Sequence, residues 1–265
     1  MRRIPSIRNW LAICCCLAGL MTSVGAQQAA PVPAVAAAAD LKFALPELAQ
    51  AFETASGRKL RLSFGSSGMF AQQIAQGAPF ELFFSADESY VEMLQKAGRS
   101  EDAGKLYALG RIALFIPNGS PVQADSNLRD LAAAARDGRL KRLAMANPEH
   151  APYGRAAREA LQHSGIWELV RDKLALGENA AQAAQFAASG SAQAGLIPLT
   201  LARAPELAAK GAFVTLPESW HLPLKQRMVL IQGAGETARL FYAFMQTPAA
   251  RAILMRHGFA LPLPP

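Results

Sequence analysis

Cysteine is nearly missing from this chain. Its 265 residues include three, and Cys14, Cys15 and Cys16 stand together near the amino terminus. Nothing downstream can form a disulfide, a thiolate metal site or a thiol nucleophile. Charge is sparse at 18% of residues, and aromatics make up 8%. No stripe of basic residues interleaved with aromatics is present, so a nucleic-acid surface is not expected. Also lacking are a Gly-x-Gly-x-x-Gly helix opening, a Walker loop, His-Glu-x-x-His and Gly-x-Ser-x-Gly. The histidines, His150, His163, His221 and His257, have no partners at metal-ligand spacing. Ser56-Gly57-Arg58-Lys59 fits Ser-x-x-Lys, but it falls at a helix end and so does not present lysine to serine. The carboxylates form no evident acid–base pair, and Asp87-Glu88 reads as the capped start of a helix. These absences argue against an enzyme.

The apolar run over residues 10–21 is too short for a stable membrane span. Arg2, Arg3 and Arg8 precede it and Val24-Gly25-Ala26 follows it, as in a secretory leader cut near Ala26. Ile13 precedes the first cysteine where a lipoprotein leader has a small residue, so lipidation is not expected. All three cysteines would leave with residues 1–26. Removing three arginines from 27 basic residues leaves 24 against 20 acidic ones, a mildly basic remainder.

What is present is a hydrophobic content of 51%, enough for a packed core. Length suits two domains of roughly 100 residues each. Residues 32–38 read as a buried strand. Asp40 follows as a cap, and Leu41, Leu45, Leu48 and Phe52 mark one helical face with Pro46 near its start and Gly57 at its end. Residues 60–64 alternate as a strand before the turn Gly65-Ser66-Ser67-Gly68 and a helix closed by Gly77. Leu82-Phe83-Phe84 is a third strand, followed by the cap Asp87 and a helix closed by Gly98. This βαβαβα order predicts a mostly parallel sheet. Residues 109–116 read as one strand, 140–145 as another, 155–162 as a helix, and 195–197 and 228–231 as further strands. Asn179 caps a helix, and two helices close the chain. Ligands of such sheets bind beyond the strands' carboxyl ends, where helix starts supply free N–H groups and a partial positive charge. Ser66 and Ser67 are the best neutral donors at such a start, although Ser-Ser-Gly is also an ordinary turn.

Several stretches resemble, in order, the molybdate-binding proteins of ABC importers, the ModA family of type II periplasmic binding proteins. They are Ala36-Ala37-Ala38-Ala39-Asp40-Leu41, Ser63-Phe64-Gly65-Ser66-Ser67-Gly68 and Gly77-Ala78-Pro79-Phe80-Glu81-Leu82-Phe83-Phe84-Ser85-Ala86-Asp87. Ala146-Asn147-Pro148-Glu149-His150-Ala151-Pro152-Tyr153-Gly154, Gly177-Glu178-Asn179 and Arg256-His257-Gly258-Phe259 continue the series. The resemblance implies an α/β fold of two lobes, each a mostly parallel sheet flanked by helices, with a hinge of two crossing strands. The crossings would lie near Leu109-Gly110 and Arg227-Met228. Lobe 1 would then comprise residues 27–109 and 228–265, and lobe 2 residues 110–227.

It further implies a periplasmic monomer without cofactor that passes molybdate or tungstate to the permease of an ABC importer. The oxyanion would be held by backbone N–H groups and hydroxyls at the positions of Asp40, Ser67, Tyr153, Ala180 and Pro198, the last having lost its donor because proline has neither N–H nor hydroxyl, with Ser66 and Asn179 as further candidates and no direct ligand to molybdenum. Two residues depart from the family pattern. Asp40 stands where many members carry a hydroxyl, and Pro198 where some carry tyrosine. A carboxylate beside a dianion is repulsive, so Asp40 is expected to turn away and cap its own helix. An inward Asp40 would instead suit a protonated oxyanion such as phosphate or a phosphonate. Sulfate is a further alternative.

Overall fold

The computed structural model describes residues 32–262. The expected leader and its cleavage site lie outside them. The chain begins with β1 (Ala34–Ala38), a 3-10 turn (Ala39–Leu41), α1 (Ala44–Ser56), β2 (Arg61–Gly65), α2 (Ser67–Ala75), β3 (Leu82–Ser85) and α3 (Glu88–Lys96). It continues with β4 (Lys105–Gly110), β5 (Ile112–Pro117), α4 (Arg129–Asp137), β6 (Leu143–Ala146), α5 (Pro152–His163), α6 (Trp167–Val170) and β7 (Leu174–Gly177). Then come α7 (Ala180–Ala188), β8 (Ala194–Pro198), α8 (Leu199–Ala202), α9 (Pro205–Ala208) and β9 (Gly211–Thr215). The last elements are β10 (Leu224–Leu230), α10 (Glu236–Phe244) and α11 (Pro248–Arg256).

The strands form two five-stranded sheets, ordered β2-β1-β3-β10-β4 and β7-β6-β8-β5-β9. In the first, β10 alone runs antiparallel to its neighbours; in the second, β5 does. The two sheets therefore share one plan, four parallel strands and one reversed, as the βα pattern predicts. Both faces of the first sheet are covered. Val35, Ala37, Leu82 and Phe84 join one core with α1, α10 and α11, while Ala36, Phe83 and Val229 join another with α2 and α3. Double coverage explains why these strands are apolar throughout rather than alternating.

Local signals set the helix ends. On α1, Leu45, Leu48 and Phe52 are buried, each worth about 1.5–3 kcal/mol. Phe52 packs edge-on against Phe241 with ring centroids 5.2 Å apart. Gly57 ends the helix at φ 71°, a conformation only glycine adopts freely. Asp87 caps α3 by accepting from the N–H of Ser89.

The expected single strand over 109–116 is two strands. β4 ends at Gly110 in the first sheet, and β5 starts at Ile112 in the second, pairing with β8 and β9. One apolar run thus serves two sheets. On the return, β10 pairs with β4 from Leu224 onward, so Arg227 and Met228 lie inside a strand of the first sheet. The pairing carries a bulge, with Gln226 opposite Ala108 and Arg227 opposite Leu106, leaving Tyr107 as the extra residue. β7 and β9, both edge strands of the second sheet, were not predicted.

Candidate functional site

The two sheets meet through the residues that follow their strands. Ala38, Ala39 and Ala86, at the ends of β1 and β3, pack with the core of the second sheet. At this junction lies a small cavity of about 10 Å³, lined from the first sheet by Ala38, Ala39, Asp40, Gly65, Ser66, Ser67 and Ala86, and from the second by Ala151, Pro152, Tyr153 and Ala180. Among the described residues, no lysine, arginine or histidine lines it.

Three helices begin at its wall. Ser67 is the first residue of α2, Tyr153 the second of α5 and Ala180 the first of α7. N–H groups in a first turn have no acceptor within their own helix. Pro152 opens α5 because its missing N–H and fixed φ suit that position. Asn179 caps α7 by accepting from the N–H groups of Ala181 and Gln182, which leaves that of Ala180 at the cavity. The Oγ of Ser67 accepts from the N–H of Ala86 at 3.0 Å, so its hydroxyl proton is available for another acceptor. The partial charges of three helix starts thus converge on one small volume, an arrangement that favours an anion.

Of the residues expected at the site, Asp40, Ser66, Ser67, Tyr153 and Ala180 come together at this cavity. Pro198 and Asn179 are not among its lining residues. Pro198 ends β8 opposite Ile112, and Asn179 serves as a cap. Ser66 donates to the carbonyl of His150, whose ring Nδ1 lies 3.0 Å from the same hydroxyl. That carbonyl also accepts from the N–H of Gly68 at 3.0 Å, tying α2 to the loop before α5. A Cβ on Gly68 would sit 2.7 Å from the His150 oxygen, so glycine is required for this approach.

Asp40 behaves differently from expectation. The N–H groups of Asp40 and Leu41 act on its carboxylate, but less strongly than Gln226 and Tyr153 do, so capping its own turn is not its main contact. Instead Oδ2 accepts from Tyr153 Oη at 2.9 Å and Gln226 Nε2 at 2.6 Å. Gln226 Nε2 also reaches Tyr153 Oη at 3.0 Å, and its Oε1 accepts from Tyr107 Oη at 2.7 Å. The bulge in β4 is what brings Tyr107 to Gln226. A Cβ on Gly110 would lie 2.5 Å from Tyr153 Oη, so β4 must end in glycine here. The physical reason is competition: two side-chain donors from other elements outweigh the N–H groups of its own turn.

Burial sets the titration of this cluster. Asp40 is 1% exposed. Loss of hydration pushes its pKa up to about 6, against the hydrogen bonds from Gln226 and Tyr153 that pull it down. Burial, with the charge of Asp40 beside them, holds the Tyr153 and Tyr107 hydroxyls well above their ordinary range. Asp40 Oδ1 is buried and has no hydrogen-bond partner among the described residues. Gln226 and Tyr107 were missed by sequence reasoning. Their one signal is the alternation Leu224, Gln226, Met228 along β10, which places a glutamine on a buried face.

Further contacts bind the two halves. Thr200 Oγ1 donates to the carbonyl of Asp40 at 3.0 Å. Arg155 of α5 pairs with Asp87, the cap of α3, at 2.7 Å.

Residues 33–260 match the family of bacterial extracellular solute-binding proteins. The molybdate-binding protein ModA of Azotobacter vinelandii is 33% identical over 247 residues, covering 92% of this chain and 94% of its own. The molybdate-binding protein ModA of Escherichia coli is 31% identical over 230 residues, covering 86% and 88%. The solved structure of the Azotobacter vinelandii periplasmic molybdate-binding protein superposes with a TM-score of 0.78 at 30% identity, covering 87% of this chain and all of that one. With its two-sheet architecture and a cavity between the sheets, this chain belongs to the bacterial extracellular solute-binding proteins.

Proposed function

We propose that this protein captures a tetrahedral oxyanion, molybdate or tungstate, in the cavity between its lobes and delivers it to the membrane permease of an ABC importer. It acts without catalysis and without a cofactor, as an exported periplasmic monomer whose leader is removed near Ala26. The observation that carries the reading is a cavity built from three helix starts and serine hydroxyls, with no cationic side chain in its wall. Ser67 supplies a hydroxyl, and Ser67, Tyr153 and Ala180 supply N–H groups. Buried hydrogen bonds to a charged acceptor contribute roughly 1.5–3 kcal/mol each. A few of them, less the cost of ordering, support micromolar or tighter binding. The relatives named for molybdate supply the choice of anion. Lobe 1 comprises the elements of the first sheet and lobe 2 those of the second, with hinge segments around Arg111 and between β9 and β10.

The unpartnered Oδ1 of Asp40 favours one alternative, an oxyanion that carries its own proton, such as hydrogen phosphate or a phosphonate. Thermal unfolding with molybdate, tungstate, sulfate, phosphate and chromate tests the choice. Molybdate or tungstate at a thousandfold excess over its dissociation constant should stabilise the fold by about 4 kcal/mol. Stabilisation by phosphate alone would overturn the molybdate reading.

A further inference from the structure

Asp40 lines the cavity and is buried, yet only one of its two oxygens is used. The pattern around Oδ2 is fixed from outside. Tyr107 donates to Gln226 Oε1, which turns the amide's NH2 group toward Oδ2. Tyr153 Oη accepts from that NH2 group and directs its own proton to Oδ2. Two donors therefore occupy Oδ2, and a proton on this carboxyl has only Oδ1 to sit on. We propose that Asp40 is a neutral carboxylic acid in the bound state, donating its Oδ1 proton to the captured oxyanion, so that one proton is taken up from solvent with each ligand. The proposal rests on the oxyanion reading above and deepens it by naming a specificity-determining residue.

The surroundings support it. A carboxylate and a dianion would share a cavity whose wall holds no cation, a repulsive pairing at close range. Protonation converts the same group into one more donor. The titratable groups facing Asp40 are Tyr153 from α5 and Tyr107 from β4, both neutral. β10 presents Gln226 and α8 presents Thr200, while the first turns of α2 and α7 present serine, glycine, alanine and glutamine. His150 is not among the lining residues and lies against Ser66 and Glu178. Without ligand Asp40 titrates near pH 6, so above that pH the proton must be acquired on binding.

Isothermal titration of the whole exported protein with sodium molybdate, from about pH 6 to pH 9, tests this. The dissociation constant should rise tenfold for each pH unit above about 6. Buffers of different ionisation enthalpy should report one proton taken up per anion bound. Asp40→Asn and Asp40→Ser, each checked for folding by circular dichroism, should both give a flat pH profile. A flat profile in the unsubstituted protein would overturn the proposal. So would hydrogen phosphate binding more tightly than molybdate with no proton uptake, since Asp40 would then be an acceptor. Failure of every anion to bind any of the three proteins at any pH would overturn the oxyanion reading itself, and this proposal with it.

Discussion

Replacing Asp40 with asparagine should make the ligand-free protein respond differently to pH. Burial raises the folded-state pKa of this carboxyl from an ordinary 3.8 to about 6. The fold therefore holds its proton more tightly than the unfolded chain does. Stability from this group is fully present below pH 3.8 and is lost as pH rises through about 6. The difference between the two values is worth about 3 kcal/mol. Asparagine keeps the shape and cannot ionise, so it is spared that loss. Urea unfolding followed by circular dichroism, with linear extrapolation, gives the stability of both proteins at each pH. The advantage of Asp40→Asn over the parent should be about 3 kcal/mol larger near pH 7.5 than near pH 3.5. Any fixed cost of seating an amide shifts both ends equally and leaves this difference intact. Parallel stability curves would refute the reasoning, as they would show that the carboxyl ionises in the fold as easily as in water.

Gln226→Leu removes the donor to Asp40 Oδ2 and the acceptor for Tyr107. It strands buried polar groups and should lower stability by roughly 2–4 kcal/mol in urea titrations. Ser67→Ala removes the hydroxyl at the start of α2 together with the acceptor for the Ala86 N–H. Anion affinity by calorimetry should fall roughly 10- to 100-fold, matching one charge-assisted hydrogen bond of about 1.5–3 kcal/mol. Gly110→Ala would drive a methyl into Tyr153 Oη and Gln226 Nε2. It should cost about 1–3 kcal/mol of thermal stability and raise the dissociation constant together.

Much of the fold is legible in the residues, where a local cause fixes a local result. Gly57 ends α1 because of its positive φ, and Asp87 and Asn179 start α3 and α7 because their side chains accept from free N–H groups. Edge strands escape notice. β7 and β9 bury little, and each offers only a three-residue apolar run, Leu174-Ala175-Leu176 and Ala212-Phe213-Val214, with no clean alternation around it. At Arg111 the apolar pattern reads one strand over 109–116, and only the family resemblance put a crossing near Leu109-Gly110, because tertiary pairing is what assigns the two sides to different sheets. At the site, the helix starts can be read from serine, proline and asparagine. The side-chain network cannot. Tyr107 meets Gln226 across 119 positions, and Asp40 meets Gln226 across 186. A carboxylate's balance between its own turn and a distant amide is settled by packing, and at Asp40 the amide of Gln226 outweighs the turn.

The interleaving of the two sheets also bears on how the chain acquires its shape. All five strands of the second sheet come from one uninterrupted stretch, β5 to β9, so that half can assemble from neighbours in sequence. The first sheet has its antiparallel strand, β10, wedged between β3 and β4, although the whole second sheet precedes it in the chain. Until residue 230 has emerged, β4 has no partner within its own sheet. The hydrogen-bond network at Asp40 is completed only once that last strand is in place, because Gln226, which donates to Asp40, belongs to it.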